Sequence, residues 1–245
     1  MSQPKLPFPA AALFDLDGTL VDTVPDIAAA ADAACVALGL PARGEAAVRL
    51  WVGNGAEVLL HRVLTGRLDG QADPALVRRG LTLFKEAYAR AVFVRSRVCD
   101  GVPACLCWLR ARGVRLGVVT NKPGALTTPV LARAGLAGFF GVVLGGDALP
   151  QRKPDPTPLR VAAERLSAAA GPVLVVGDSG TDVQAARNAG YPVVCVTYGY
   201  NHGADIRAAG ADALVDSLAE LPALLAAPPA PVSGLPASVA APGRE

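Results

Sequence analysis

The sequence has few of the residues that mark several protein classes. Its 245 residues include two histidines, one methionine and five cysteines, and the cysteines form no C-x-x-C zinc pattern. An odd number of cysteines in this spacing favours free thiols in a reducing compartment. Uninterrupted apolar runs of the roughly 20 residues that span a bilayer are also missing. The longest uncharged stretch, residues 221–243, contains several prolines and therefore predicts no membrane helix.

Charge is nearly balanced, with a formal net charge of +2 at pH 7. The basic residues are scattered along the chain, so the sequence predicts neither nucleic acid nor a membrane surface as a partner. No basic segment followed by a hydrophobic core occurs near residue 1, and we therefore expect a cytoplasmic protein. Whether it is a monomer or a homodimer stays open at this point.

The most informative stretch is Phe14–Leu20, with the sequence F-D-L-D-G-T-L. The apolar run that ends at Phe14 predicts a buried strand, and Gly18 permits a sharp turn after Asp15 and Asp17. Two acids buried at a strand end are costly unless a positive charge offsets them. A hard cation such as Mg²⁺ suits carboxylate oxygens, although two surface aspartates at a strand end remain the alternative.

Two parts of the chain differ in their periodicity. In the second half, short apolar runs alternate with helical segments, which predicts βα units and a Rossmann-like parallel sheet covered on both faces. Residues 23–99 show helical patterns and no strand-like alternation. We therefore predict an α/β core formed by residues 10–22 and 100–225, with an all-helical insertion at 23–99. The Ala- and Pro-rich tail at 226–245 is predicted to be disordered.

Polar residues follow several predicted strands of this core. In an open parallel sheet, ligands bind at the carboxyl ends of the strands. The polar residues at those ends are Asp15 and Asp17, Thr120 and Asn121, Lys153, and Asp178 with Asp182. Carboxylates, a hydroxyl and an ammonium are therefore predicted to meet in one crevice.

In this order the motifs resemble the haloacid dehalogenase-like phosphatase superfamily. They are D-x-D-G-T-L at 15–20, a hydrophobic strand ending at Thr120, Lys153 in K-P-D-P, and G-D-S-x-x-D at 177–182. The resemblance implies that Asp15 is a nucleophile that forms an aspartyl-phosphate. It implies that Asp17 protonates the leaving alkoxide and then activates water. It also implies Mg²⁺, held by Asp15, Asp178 and the backbone carbonyl of Asp17.

The resemblance gives further residues of the crevice supporting roles. Thr120 is expected to hydrogen-bond a phosphoryl oxygen. Lys153 is expected to neutralise charge on the phosphoryl group and the nucleophile. Asp182 is expected to orient metal-bound water, with the capping of a helix as its alternative.

Substrate contacts are predicted from both the core and the insertion. In the core, the backbone N–H groups from Leu16 to Thr19 are expected to cradle the anion, with Gly18 permitting its close approach. Asn121 and Lys122 follow Thr120 closely enough to touch the substrate.

The insertion at 23–99 corresponds to the superfamily's cap, which closes over the crevice and excludes water. In residues 52–56, Asn54 and Gly55 are expected to face the substrate. Arg62 is expected to pair with a carboxylate, since its fork matches carboxylate geometry, with a solvated helix face as the alternative. His61 and His202 are expected to be surface or packing residues.

Within the superfamily, residues 51–56, 119–123 and 177–179 resemble the enzymes that hydrolyse 2-phosphoglycolate to glycolate and phosphate. Gly180 departs from the bulkier residue usual there, and the departure removes no metal ligand. A β-phosphoglucomutase-like phosphomutase, or a phosphatase of another small phosphate ester, remains open as an alternative.

Two further alternatives are less favoured. A dehalogenase of the same fold needs neither Asp17 nor Asp178. A non-catalytic binding module on this fold would be expected to have lost Asp15 or its metal partners, and all are present.

Overall fold

The apolar runs of the sequence form the strands of a parallel sheet in the structure, a computed structural model that describes residues 5–227. Within that range the strands are β1 (Ala11–Phe14), β2 (Val21–Asp22), β3 (Arg97–Val98), β4 (Arg115–Val119), β5 (Val142–Leu144), β6 (Val173–Gly177), β7 (Val193–Val196) and β8 (Ala213–Val215). The α-helices are α1 (Val24–Ala37), α2 (Glu45–Trp51), α3 (Ala56–Thr65), α4 (Pro74–Arg90), α5 (Val102–Arg110), α6 (Gly124–Arg133), α7 (Thr157–Arg165), α8 (Gly180–Ala189) and α9 (Leu221–Leu224). None of these helices is long and apolar enough to cross a bilayer.

Six strands form one parallel sheet in the order β5-β4-β1-β6-β7-β8. β1 lies inside the sheet between β4 and β6, and its four residues are fully buried. Alternate side chains of a strand point to opposite faces. Phe14 therefore packs in the apolar cluster on one face, and Leu13 packs in the cluster on the other. This two-sided burial explains why the strand is apolar throughout.

The insertion lies between two short strands that pair with each other. β2 and β3 are antiparallel, with Val21 beside Val98 and Asp22 beside Arg97. Helices α1 to α4 come between them, and the part of the chain from 23 to 96, all of it described, contains no strand. The predicted fold class, a parallel α/β sheet with an inserted helical segment, is confirmed.

A buried carboxylate links the two chain segments that connect the sheet with the insertion. Asp26, at the start of α1, accepts hydrogen bonds from the N–H groups of Val94, Arg95 and Ser96 at 2.8–3.0 Å. The Ser96 hydroxyl also donates to it, at 2.5 Å. The segment that leaves the insertion is therefore tied to the segment that enters it.

The predicted tail begins inside the described residues. The N–H of Ala226 donates to the carbonyl oxygen of Leu6 at 2.8 Å, and the N–H of Leu6 donates to Leu224 at 2.9 Å. Residue 226 is thus hydrogen-bonded to the start of the described chain. Residues 228–245, which make up the rest of the predicted tail, lie outside the described residues.

Removal of a side chain from β1 tests the two-sided packing. We expect Leu13→Ala to lower the free energy of unfolding by about 2–5 kcal/mol, since a fully buried leucine leaves a cavity that its neighbours fill only in part. Val36→Ala, at a position that is 65% exposed on α1, is the matched control and should change stability by less than about 0.5 kcal/mol. Urea unfolding of both variants measures the difference, and equal losses would contradict the packing described for β1.

Candidate active site

Two adjacent strands end at the same level and bring acidic residues together. β1 and β6 pair with Phe14 beside Val176, and Asp15 and Asp178 follow these strand ends. Asp182 lies in the first turn of α8. Carboxylate oxygens of Asp15, Asp178 and Asp182 lie within 4.8 Å of one another. This spacing allows one cation to contact oxygens from all three.

The carboxylate of Asp178 is fixed by two hydrogen bonds. The Thr19 hydroxyl donates to Oδ1 at 2.9 Å, and the Tyr200 N–H donates to Oδ2 at 2.6 Å. A Cβ at Gly18 would lie 2.3 Å from Asp178 Oδ2, and one at Gly199 would lie 2.2 Å from Asp178 Cβ. Two glycines therefore let the backbone close around this acid.

Two of the four N–H groups predicted to cradle an anion, those of Gly18 and Thr19, are engaged within the protein. The N–H of Gly18 donates to the carbonyl oxygen of Val21 at 2.8 Å, and that of Thr19 donates to Leu16 at 3.3 Å. Both donors thus close a local turn. Gly18 and Thr19 instead contact Asp178, and neither lines the cavity described below.

Asp182 has the capping role that the sequence offered as an alternative, and it also reaches the acidic cluster. It is the third residue of α8 in a capping box with Ser179, whose N–H and hydroxyl donate to Oδ2 at 3.2 and 2.6 Å. Its Oδ1 accepts from Lys153 Nζ at 2.6 Å. The same side chain therefore caps a helix and faces the acidic cluster.

Lys153 lies between two carboxylates. Its Nζ is 2.8 Å from Asp15 Oδ1 and 2.6 Å from Asp182 Oδ1, and its side chain is 4% exposed. Asn121 holds the backbone of Lys153 in place. Its Oδ1 accepts from the Lys153 N–H at 3.1 Å, and its Nδ2 donates to the Lys153 carbonyl at 2.9 Å. Asn121 lines the cavity, but its side-chain amide is engaged in positioning Lys153.

A second buried lysine pairs with Asp17. Lys122 Nζ lies 3.0 Å from Oδ1 and 3.3 Å from Oδ2 of Asp17, and the Thr23 hydroxyl donates to Oδ1 at 2.6 Å. The N–H of Lys122 donates to the Thr120 hydroxyl at 3.3 Å. On its other side, the ammonium lies 4.6 Å from the ring centre of Tyr88, on α4.

The cluster has more negative than positive charge. Four carboxylates and two ammoniums line the cavity, so two negative charges are not balanced by the ammoniums. Burial raises the pKa of Asp15 to about 6, although Lys153 opposes the shift. Burial and the neighbouring carboxylates of Asp182 and Asp15 raise the pKa of Asp178 well above its usual value. A divalent cation would offset this charge, and the oxygen donors suit one.

The two lysines stay protonated in this setting. Burial on its own lowers the pKa of Lys153, but the carboxylates of Asp15 and Asp182 outweigh it, and the pKa is raised. The pKa of Lys122 is raised in the same way, because Asp17 outweighs burial. Both side chains therefore act as fixed positive charges.

Residues of the insertion form part of the cavity wall. The lining residues that it contributes are Ile27, Val52, Gly53, Asn54, Gly55, Ala56, Leu59 and Phe84. Asn54 Nδ2 donates to the Thr181 hydroxyl on α8 at 3.3 Å. The predicted pair Asn54 and Gly55 therefore faces the acidic cluster.

Arg62, a predicted carboxylate ligand, does not line the cavity. Its guanidinium donates to the carbonyl oxygens of Trp51 at 2.7 Å and Leu68 at 3.0 Å, and to Asn54 Oδ1 at 3.4 Å. These contacts hold the 53–55 loop in shape, and Asn54 in that loop has a positive φ of 64°. The arrangement favours a loop-supporting role over direct binding of a substrate carboxylate.

Two residues near the site were not singled out by the sequence: Thr23 reaches Asp17, and the backbone of Tyr200 reaches Asp178. His202, expected to be a surface or packing residue, lines the cavity beside Gly53. Burial lowers the pKa of His202. Tyr200 and His202 lie in the loop after β7. Ligands bind at the carboxyl ends of parallel strands, so their position after a strand was the feature of the sequence that could have predicted them.

Comparison with known proteins gives consistent matches. The family model for haloacid dehalogenase-like hydrolases matches residues 9–190. A phosphoglycolate phosphatase of Nitrosococcus oceani is 45% identical over 217 residues, which cover 89% of this chain and 96% of the relative. One of Nitrosospira multiformis is 45% identical over 215 residues, covering 88% and 95%. The crystal structure of a predicted phosphoglycolate phosphatase from Haemophilus somnus 129PT has a TM-score of 0.82 and 33% identity, covering 89% and 99%.

The chain belongs to the haloacid dehalogenase-like hydrolase family. The superfamily resemblance drawn from the motifs is thereby confirmed. Within that family, the relatives named above are phosphoglycolate phosphatases that match the chain over nearly its whole described length.

The acidic cluster predicts stabilisation by a divalent cation. We expect Mg²⁺ at about 100 times its Kd to add about 2.7 kcal/mol of stability and to raise Tm by roughly 5–10 °C for a chain of this size. Asp178→Asn should abolish most of the shift. Glu86→Gln, at an exposed site on α4, should keep it. Differential scanning calorimetry after chelation measures the shift, and equal shifts in both variants would place the ion elsewhere.

The contacts of Arg62 predict a loss without selectivity. We expect Arg62→Ala to lower kcat/KM by a similar factor for phosphate esters with and without a carboxylate, because the loop that it supports lines the cavity for every substrate. Steady-state kinetics with the two kinds of ester measure this. A loss confined to carboxylated esters would restore the direct role that the sequence predicted.

Proposed function

We propose that the protein hydrolyses 2-phosphoglycolate to glycolate and phosphate, with Mg²⁺ as its cofactor. The observation that carries the proposal is the pair of acids at the end of β1. Asp15 forms an ion pair with Lys153, and Asp17, two residues further along the chain, lines the same cavity. Relatives named as phosphoglycolate phosphatases support the substrate. The free state of all five cysteines supports a cytoplasmic location.

The choice of Mg²⁺ rests on the donor set. Asp15 and Asp178 would hold the ion, with the backbone carbonyl of Asp17 and with Asp182 alongside. All of these donors are oxygens, which suit hard cations better than soft ones. When bound, the ion supplies positive charge that allows a phosphate dianion to approach the carboxylates. Asp178 already has two protein donors on its oxygens, which fix its orientation.

Asp15 is the nucleophile in this proposal. One of its oxygens, Oδ1, accepts a bond from Lys153, whereas Oδ2 accepts none from the described residues. Oδ2 is therefore free to attack phosphorus, forming the Asp15–phosphorus bond as the ester bond breaks. Lys153 stays beside Asp15 and offsets charge on the transferring group. Thr120 lines the same side and is proposed to donate to a phosphoryl oxygen.

Asp17 is the proton carrier in this proposal. It gives a proton to the glycolate oxygen as that oxygen leaves phosphorus, and it then takes a proton from the water that cleaves the aspartyl-phosphate. The bonds to Thr23 and Lys122 hold its carboxylate beside the cavity. The insertion covers this step and limits the entry of bulk water.

The relatives favour a phosphatase over the phosphomutase alternative. Those that match the chain over nearly its whole described length are named phosphoglycolate phosphatases, which supports hydrolysis of 2-phosphoglycolate.

The test is phosphate release from a panel of esters with and without Mg²⁺. We expect 2-phosphoglycolate to be hydrolysed with the highest kcat/KM, ahead of β-glucose 1-phosphate and pyrophosphate, and only when Mg²⁺ is present. Asp15→Asn should abolish turnover, because an amide cannot form the covalent intermediate. Glu164→Gln, an exposed change on α7, is the control. Surviving activity in Asp15→Asn would overturn the nucleophile, and a different preferred ester would overturn only the substrate.

A further inference from the structure

Lys122 is the cation of the cavity to which the proposed reaction gives no contact with the phosphoryl group or the nucleophile. Of the described residues that line the cavity, Lys122 and Lys153 carry ammonium groups. Lys153 is committed to two carboxylates of the acidic cluster, Asp15 and Asp182. Lys122 pairs with Asp17 alone among the carboxylates. A second anionic group on a substrate would therefore find its positive partner at Lys122.

The position of Lys122 selects where that second anion must lie. In the proposed reaction Asp17 contacts the ester oxygen, and Lys122 Nζ is 3.0 Å from Asp17 Oδ1. A carboxylate joined to the ester oxygen through a single carbon would lie beside Asp17, within reach of the ammonium. A carboxylate one carbon further away would extend past this position.

The insertion also contacts Lys122. Tyr88 on α4 is fully buried, and its ring centre lies 4.6 Å from Lys122 Nζ. A cation over an aromatic face is stabilised by the ring. The Tyr88 ring stacks on Phe84, which lines the cavity, with ring centres 5.9 Å apart. The ammonium is thus held between an acid of the core and an aromatic residue of the insertion.

We propose that Lys122, positioned by Tyr88, is the specificity residue that recognises a carboxylate on the carbon next to the ester oxygen. The site would then select phosphate esters of short α-hydroxy acids. This inference rests on the proposed function and deepens it, because it assigns the recognition of the carboxylate to a core lysine next to the proton carrier.

The first experiment compares two variants of residues that both contact Asp17. Lys122→Gln removes the positive charge, and Thr23→Val removes an uncharged donor at 2.6 Å. The substrates are 2-phosphoglycolate and ethyl phosphate, which has the same carbon count and no carboxylate. We expect Lys122→Gln to lower kcat/KM for 2-phosphoglycolate about tenfold or more beyond its effect on ethyl phosphate, the usual loss for a hydrogen bond to a charged group. Thr23→Val should lower both by a similar factor.

The outcomes separate this inference from the proposed function. Equal losses on both esters in Lys122→Gln would show that Lys122 acts only through Asp17, and would overturn the inference while 2-phosphoglycolate remained the substrate. A wild-type enzyme with no preference for 2-phosphoglycolate over ethyl phosphate would overturn both. Lys122→Arg keeps the charge, and we expect it to restore part of the preference that Lys122→Gln loses.

A second measurement uses the wild-type enzyme, so it does not depend on a variant that folds. The ester 3-phosphooxypropanoate places its carboxylate one carbon further from the ester oxygen. We expect its kcat/KM to be close to that of ethyl phosphate and well below that of 2-phosphoglycolate. Equal rates for the two acids would overturn the assignment of Lys122 to the adjacent carboxylate.

Tyr88→Leu tests the positioning of Lys122. We expect it to reduce the preference for 2-phosphoglycolate over ethyl phosphate, as Lys122→Gln does, and to change KM more than kcat.

Discussion

The balance of charge at one end of the sheet is the constraint on which the rest of the site depends. Four carboxylates lie around a single cavity. Lys122 pairs with Asp17, and Lys153 pairs with Asp15 and Asp182. Removing charges from water is expensive unless partners replace the water. The loops after β4 and β5 supply these partners, and Asn121 fixes the backbone of Lys153 so that its ammonium reaches Asp15. The negative charge that the lysines leave over would be offset by a metal ion, which Asp15, Asp178 and Asp182 are close enough to hold together.

The sequence predicted the fold and the acidic cluster well, because both follow from local patterns. Apolar runs locate the strands, and the parallel register of β1 and β6 places the residues after them at one level. The order of motifs then identified the family. Glycines at 18 and 199 also follow from this geometry, since a side chain at either position would collide with Asp178.

What the sequence did not predict depends on contacts between distant segments. The pair between Lys122 and Asp17 joins residues 105 positions apart, and Tyr88 reaches Lys122 from a helix of the insertion. No spacing rule predicts such a pair. The turn at 16–21 shows a related limit. A glycine beside two acids suggests an anion cradle, but the N–H groups of Gly18 and Thr19 close their own turn. Arg62 showed the same limit, because an arginine facing its own loop has the same local sequence as one facing a ligand.

Asp17, the proposed proton carrier, lies where the two parts of the chain meet. Asp17 is bound by Thr23 just before α1 and by Lys122 of the core, and Lys122 in turn contacts Tyr88 of the insertion. Tyr200 makes a similar link, since its N–H holds Asp178 and its hydroxyl donates to Asp22 of β2. Any movement of the insertion relative to the sheet would therefore alter the contacts of Asp17. It would also alter the link that Tyr200 makes between Asp178 and β2. The insertion therefore contacts the groups that hold Asp17. A conformation in which the insertion admits a substrate would differ from the one in which these contacts are complete.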